Sequence, residues 1–153
     1  MNSPTLPYIS YSPKRQFCVC VTPHSSRATW LAVKHVRKHR SFVYDANGKH
    51  WEEIWTVDDR AFGLFARMFN LIRPIEFSFT EAAPITVKEM TKILCAIIDN
   101  DPDDLWCQWM THGQVKRRLR RQKTPGDLIC FAGDLGLTEF NREVYGDQIE
   151  QTK

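Results

Sequence analysis

Apolar and polar positions along this chain follow two periods. In the first half they alternate in short runs. In the second half they recur every three to four residues behind well-marked helix starts. Residues 16–22 (QFCVCVT) read as a first strand, ended by Pro23. Residues 41–57 read as a β-hairpin, SFVYD and HWEEIWTV around Ala46-Asn47-Gly48-Lys49. Asn47-Gly48 supplies the positive φ angles that a type I′ turn demands. Trp51 and Trp55 share a parity that Ile54 and Val57 do not, which predicts a bulge or a strand buried on both faces. Residues 74–80 alternate Ile75, Phe77 and Phe79 against Glu76 and Ser78, the pattern of a half-buried strand. Residues 27–39 fit a helical stripe through Trp30, Leu31, Val33 and Val36, while their β-branched content also allows a strand.

Helical signals dominate afterwards. Residues 58–71 predict a helix capped by Asp58 or Asp59, with Phe62, Phe65, Met68 and Phe69 on one apolar face and Pro74 beyond its end. Thr86 and Glu89 form a capping box ahead of Met90, Ile93, Leu94, Ile97 and Ile98. Asp101-Pro102 opens a helix over 103–110, whose positive end suits Asp103 and Asp104. Thr111 and Gln114 box a helix over 113–122, and Thr124-Pro125 with Asp127 starts a last one, closed by Gly133. Strands grouped early and helices late predict an α+β fold, an antiparallel sheet packed by helices. Residues 1–15, with Pro4, Pro7 and Pro13, read as an irregular arm, and 134–153 as a loosely packed tail of a single domain.

Composition narrows the picture. At 153 residues the chain can bury a core without a disulfide or metal to hold it. Its five cysteines, an odd number with no apolar leader before them, predict reduced thiols in a cytoplasmic protein. Cys18 and Cys20 share a strand face, and Cys95, Cys107 and Cys130 read as small core residues on helices. No apolar run approaches the roughly 20 residues that span a bilayer, so no membrane is expected. The net charge of +3 is too small to announce nucleic acid, but its distribution is uneven. Cations crowd into 34–40 and 116–123, and carboxylates into 99–104 and 139–150.

The candidate chemistry is thin. His35 and His39 have metal-ligand spacing if helical, yet Lys34, Arg37, Lys38 and Arg40 surround them and no third ligand follows. His24-Ser25-Ser26 follows a strand-ending proline and reads as a turn rather than a nucleophile with its base. His50, beside Glu52, and His112, at a helix start, are the remaining acid–base candidates, with nothing to order them into a site. Asp99, Asp101, Asp103 and Asp104 fail the calcium-loop pattern, because Asp104 and Met110 stand where glycine and glutamate belong. No catalytic residue, metal or cofactor is assigned, and binding is favoured over catalysis. One surface candidate is the cationic helix 115–123, where Val115 and Leu119 point inward and the cations outward, a geometry for phosphates. The other is the acidic stretch with Trp106 and Trp109, an aromatic anchor beside charge.

Two stretches carry a resemblance. SFVYDANGKHWEEIWTV has the form aromatic-x-Tyr-Asp-x-x-Gly-x-x-Trp. Residues 99–133 contain a Pro-Asp-Asp-Leu helix start and a later Thr-Pro-x-Asp-Leu helix. Together they resemble the immunity proteins of bacterial polymorphic toxin systems, including those of contact-dependent growth inhibition. The resemblance implies an α+β inhibitor that forms a heterodimer with a cognate toxin domain, often a nuclease, and occludes its active site. The expected toxin-binding residues are Asp99, Asp101, Asp103, Asp104, Trp106 and Trp109; the alternative is a nucleic-acid-binding regulatory protein using helix 115–123.

Overall fold

The computed structural model describes residues 3–13, 17–22, 27–58, 60, 62–100 and 110–135, the side chain of His35 apart. The alternating runs pair as antiparallel strands. β1 (Tyr8–Tyr11), β2 (Phe17–Cys20), β4 (Ser41–Asp45), β5 (His50–Thr56) and β7 (Glu76–Glu81) form a five-stranded sheet in the order β2-β1-β4-β5-β7. A two-stranded ladder joins β3 (Arg27–Ala28) to β6 (Arg73–Pro74). The helices are α1 (Trp30–His39), α2 (Leu64–Met68), α3 (Val87–Asp99), α4 (His112–Leu119) and α5 (Pro125–Asp134). The fold is therefore α+β, with helices mostly in the later half.

The helix starts obey their caps. Thr86 Oγ1 accepts from Glu89 N while Glu89 accepts from Thr86 N, and Thr111 and Gln114 repeat the exchange. The Glu89 carboxyl is held below its ordinary value by those bonds to Thr86. Thr124 caps α5, with Pro125 in the first turn. Capped this way, α3 lays Met90, Leu94, Ile97 and Ile98, all fully buried, on one sheet face. There they meet Ile9, Phe17 and Tyr44 from the strands and Leu119 and Leu128 from α4 and α5. Each of those α3 side chains contributes roughly 1.5–3 kcal/mol relative to exposure. The opposite face carries Tyr8, Cys20, Val43 and Trp51. Trp55 has the parity of Trp51, and the third cluster of Ala28, Val33, Phe62 and Ile75 packs beside it.

Several expectations are corrected. The arm expected over 1–15 contains β1, whose four residues are all buried. Both its edges are paired, Ile9 opposite Val19 on one side and Tyr44 on the other, and its side chains enter the clusters on the two faces, Ile9 and Tyr11 on one and Tyr8 on the other. The turn at Asn47-Gly48 is not type I′: Gly48 has φ +76° but Asn47 is not in the positive-φ region. Gly48 N donates to Asp45 O and Asp45 N to Lys49 O, closing a three-residue loop that needs only one left-handed position. A Cβ there would meet Pro125 Cγ at 3.1 Å. The strand β5 has no bulge, since its register with β7 runs unbroken from Trp51↔Glu81 to Thr56↔Glu76, and Ile54 is exposed rather than buried. Cys95 is buried as expected, but Cys130 is exposed on α5. Cys18 and Cys20 do share a face, with sulfurs 3.9 Å apart. Cys107, the helix expected over 103–110, His24-Ser25-Ser26 and the tail beyond Leu135 lie outside the described residues.

The motif Tyr-Asp-x-x-Gly-x-x-Trp has a structural reading. Asp45 is fully buried, and its carboxylate accepts from four N–H groups: Asn47 N (3.0 Å), Lys49 N (2.9 Å), Trp51 Nε1 (3.0 Å) and Thr5 N (3.2 Å). It closes the loop, fixes the Trp51 indole and ties down the segment before β1. His50 is likewise built into the sheet. Its Nδ1 meets Ala83 O and its Nε2 meets the Tyr11 hydroxyl, both at 2.8 Å. A carbonyl only accepts, so in a neutral ring Nδ1 carries the hydrogen and Nε2 accepts from Tyr11.

Burial pushes the Tyr11 hydroxyl well above the ordinary phenol range; Tyr44 moves the same way through burial and then the charge of Asp45. An unfolded phenol ionises near pH ~10, while the native one keeps its proton. The native state then binds more protons, so stability falls as pH rises past about 10. Urea unfolding should show this alkaline decline, and Tyr11→Phe should flatten it; an equal decline in both proteins would contradict the assignment.

Candidate functional site

The residues expected to form the toxin-binding face are mostly out of view. Asp101, Asp103, Asp104, Trp106 and Trp109 lie outside the described residues. Asp99 is exposed at the end of α3, and its carboxylate is ion-paired with the Lys116 ammonium. Among the cations of 115–123, the expected geometry holds: Val115 and Leu119 are buried, and Arg117, Arg118, Arg120 and Arg121 are exposed.

The structure brings forward a different surface. The spacing predicts one helix over 58–71 with Phe62, Phe65, Met68 and Phe69 on one apolar face. Only Leu64–Met68 is helical. Gly63 precedes it without a side-chain cap, and Asn70, at φ +48°, follows it. Phe62 is the anchor: it is fully buried, and its ring lies 5.5 Å from that of Trp30 on α1. Ala66, one turn on, is also buried. Arg67 fixes the orientation by donating through Nε to Phe62 O and by stacking its guanidinium 4.1 Å from the Trp30 ring centroid. With the Phe62–Ala66 line turned inward, the other side chains face solvent.

The result is a dense apolar surface. Leu64 is 84% exposed, Phe65 69% and Met68 67%, and Phe69, Leu71 and Ile72 are exposed as well. Phe65 and Phe69 pack on each other at 4.6 Å. Exposed Leu31 lies beside them, since its backbone N–H donates to Asn70 Oδ1 at 3.2 Å. Single exposed hydrophobics are ordinary, whereas a contiguous group marks an interaction surface. Cations predominate along it: Arg60, Arg67 and Arg73 punctuate the segment and Lys34, Arg37 and Lys38 are exposed on α1, while exposed Asp58 and Glu76 lie just beyond its two ends. The signal was present in the sequence: Leu64-Phe65, Met68-Phe69 and Leu71-Ile72 hold more apolar positions than one short helix face can bury.

His50 is bound within the sheet, and His112 is half-buried at the first position of α4. Among the described residues no group of three His, Cys, Asp or Glu side chains is placed to hold a metal, and no helix is long and apolar enough to cross a membrane. Compared with protein families, curated proteins and solved structures, the chain matches none.

Proposed function

We propose that this protein is an inhibitor that docks a protein partner through the α2 surface, acting as an immunity protein that occludes a toxin domain. The observation that carries the docking is the exposed apolar segment 64–72 with Leu31 at its side. Burying a large apolar side chain contributes roughly 1.5–3 kcal/mol, so a few of them supply the centre of an interface. The cationic rim selects the partner: a protein with an apolar depression edged by carboxylates. Complementary charge speeds encounter, and the aromatic centre holds the complex. The toxin assignment rests on the resemblance in 41–57 and 99–133. Within the first of these, Asp45, Gly48 and Trp51 serve the fold, so the shared pattern there marks architecture rather than contact.

The test is genetic and biochemical. The chain is co-expressed with the C-terminal domain of any large secreted protein that proves to be encoded beside its gene; a neighbourhood without one would count against the reading. Restored growth and a one-to-one complex are expected. A toxic domain that is neither bound nor restrained would overturn the immunity reading.

A further inference from the structure

A second feature lies away from α2. α3 and the turn joining α4 to α5 flank an open groove of about 740 Å³, within the range of roughly 300–1,000 Å³ typical of small-molecule sites. Lys88 and Lys92, one turn apart on α3, line one wall, and Arg120 and Lys123 line the other. Val87, Ala96 and Cys95 give the groove an apolar strip. Among the described residues Asp99 is the one carboxylate on the lining, and it is already ion-paired with Lys116. The Cys95 thiol is pushed up by burial and pulled back chiefly by Arg120, then Lys116, which places those charges within reach of the strip. Positive charge on both walls suits an anion, and the apolar strip beside it accommodates a small ring attached to that anion. The concavity separates it from Arg117 and Arg121, which are exposed but do not line the groove.

We propose that this groove binds a small phosphate-bearing molecule of the nucleotide class, with its phosphates between the Lys88–Lys92 and Arg120–Lys123 walls and its ring against Val87, Cys95 and Ala96. The site is independent of docking at α2.

Calorimetric titration of the full chain with ATP, inorganic triphosphate and a single-stranded RNA ten-mer tests it. ATP should bind, and the double change Lys92→Glu with Lys123→Glu should weaken binding at least about tenfold. These side chains are exposed, and circular dichroism of the variant checks that the fold persists. Arg117→Glu with Arg121→Glu, off the lining, should change ATP affinity less than about threefold. ATP should also slow alkylation of Cys95 by N-ethylmaleimide without slowing that of exposed Cys130. Triphosphate alone binding as well as ATP would remove the ring contact from the proposal. No ATP binding, equal losses in the two charge-reversed variants, or binding confined to the RNA would overturn it, the last two pointing to a diffuse polyanion surface.

Discussion

Asp45→Ala is expected to cost the fold about 3–4 kcal/mol. A buried donor left without its acceptor costs roughly 1–3 kcal/mol. The Asp45 carboxylate serves four donors, but they are not equal. Asn47 and Lys49 are exposed residues whose N–H groups gain partial access to water, and Thr5 is exposed too. Trp51 Nε1 has no such outlet, because the tryptophan is buried against Val43 and Tyr8. The largest single loss therefore sits at the indole, with the loop bonds adding to it. Against a typical total of about 5–15 kcal/mol, such a loss leaves little in reserve. Asp45→Asn keeps one carbonyl acceptor and should cost about half as much. Trp51→Phe removes one donor and keeps the ring's bulk, so it should cost less than Asp45→Ala. Urea unfolding midpoints order the three variants. A loss under about 1 kcal/mol in Asp45→Ala would mean that water replaces the carboxylate and that it does not organise the hairpin.

What the chain disclosed in advance follows the range of the forces involved. Capping boxes at Thr86 and Thr111 and the Thr124-Pro125 start are local, complete within four residues, and the helices begin where they say. The hairpin is local too, although Asp45 overrides the expected turn by accepting from Asn47 N and Lys49 N. β1 is a different case. YISY is four residues between prolines; its strand partners include β4, more than thirty residues away in sequence, and its side chains are covered by residues as distant as Leu128 and Ile129 in one cluster and Trp51 in the other. Nothing within the segment reports those partners.

The candidate sites fall on the same side of that line. Spacing predicted an apolar face for Phe62, Phe65, Met68 and Phe69, and spacing cannot say which way a short helix turns. The direction is set by Phe62 against Trp30 and by Arg67 over the same indole, both contacts to α1. The groove joins Lys92 to Lys123; the cationic run that holds Lys123 is visible in sequence, but nothing there marks Lys88 and Lys92, and the juxtaposition needed α3 packed against α4 and α5. The acidic candidate at 99–104 keeps one described carboxylate, Asp99, and its partner Lys116 belongs to the cationic run 116–123.

Phe65→Asp with Phe69→Asp is expected to abolish protection by the co-expressed chain while leaving the fold intact. Both side chains are largely exposed, so the variant loses their mutual ring contact and little else, about 0.5–1.5 kcal/mol. In the complex the same positions would sit at the apolar centre, where truncating an aromatic anchor costs roughly 2–4 kcal/mol and two carboxylates must also be desolvated. Every 1.4 kcal/mol is about tenfold in Kd, so the pair should weaken binding by at least about a hundredfold, mostly through faster dissociation. Arg60→Glu with Arg73→Glu should behave differently, slowing association and flattening its response to salt, with a smaller change in dissociation. Asp103→Lys with Asp104→Lys serves as the comparison. If the α2 surface docks the partner, that variant keeps its affinity and its protection. If instead it fails and the Phe65–Phe69 variant protects like the original chain, the partner binds at the acidic stretch and the exposed segment 64–72 has another use.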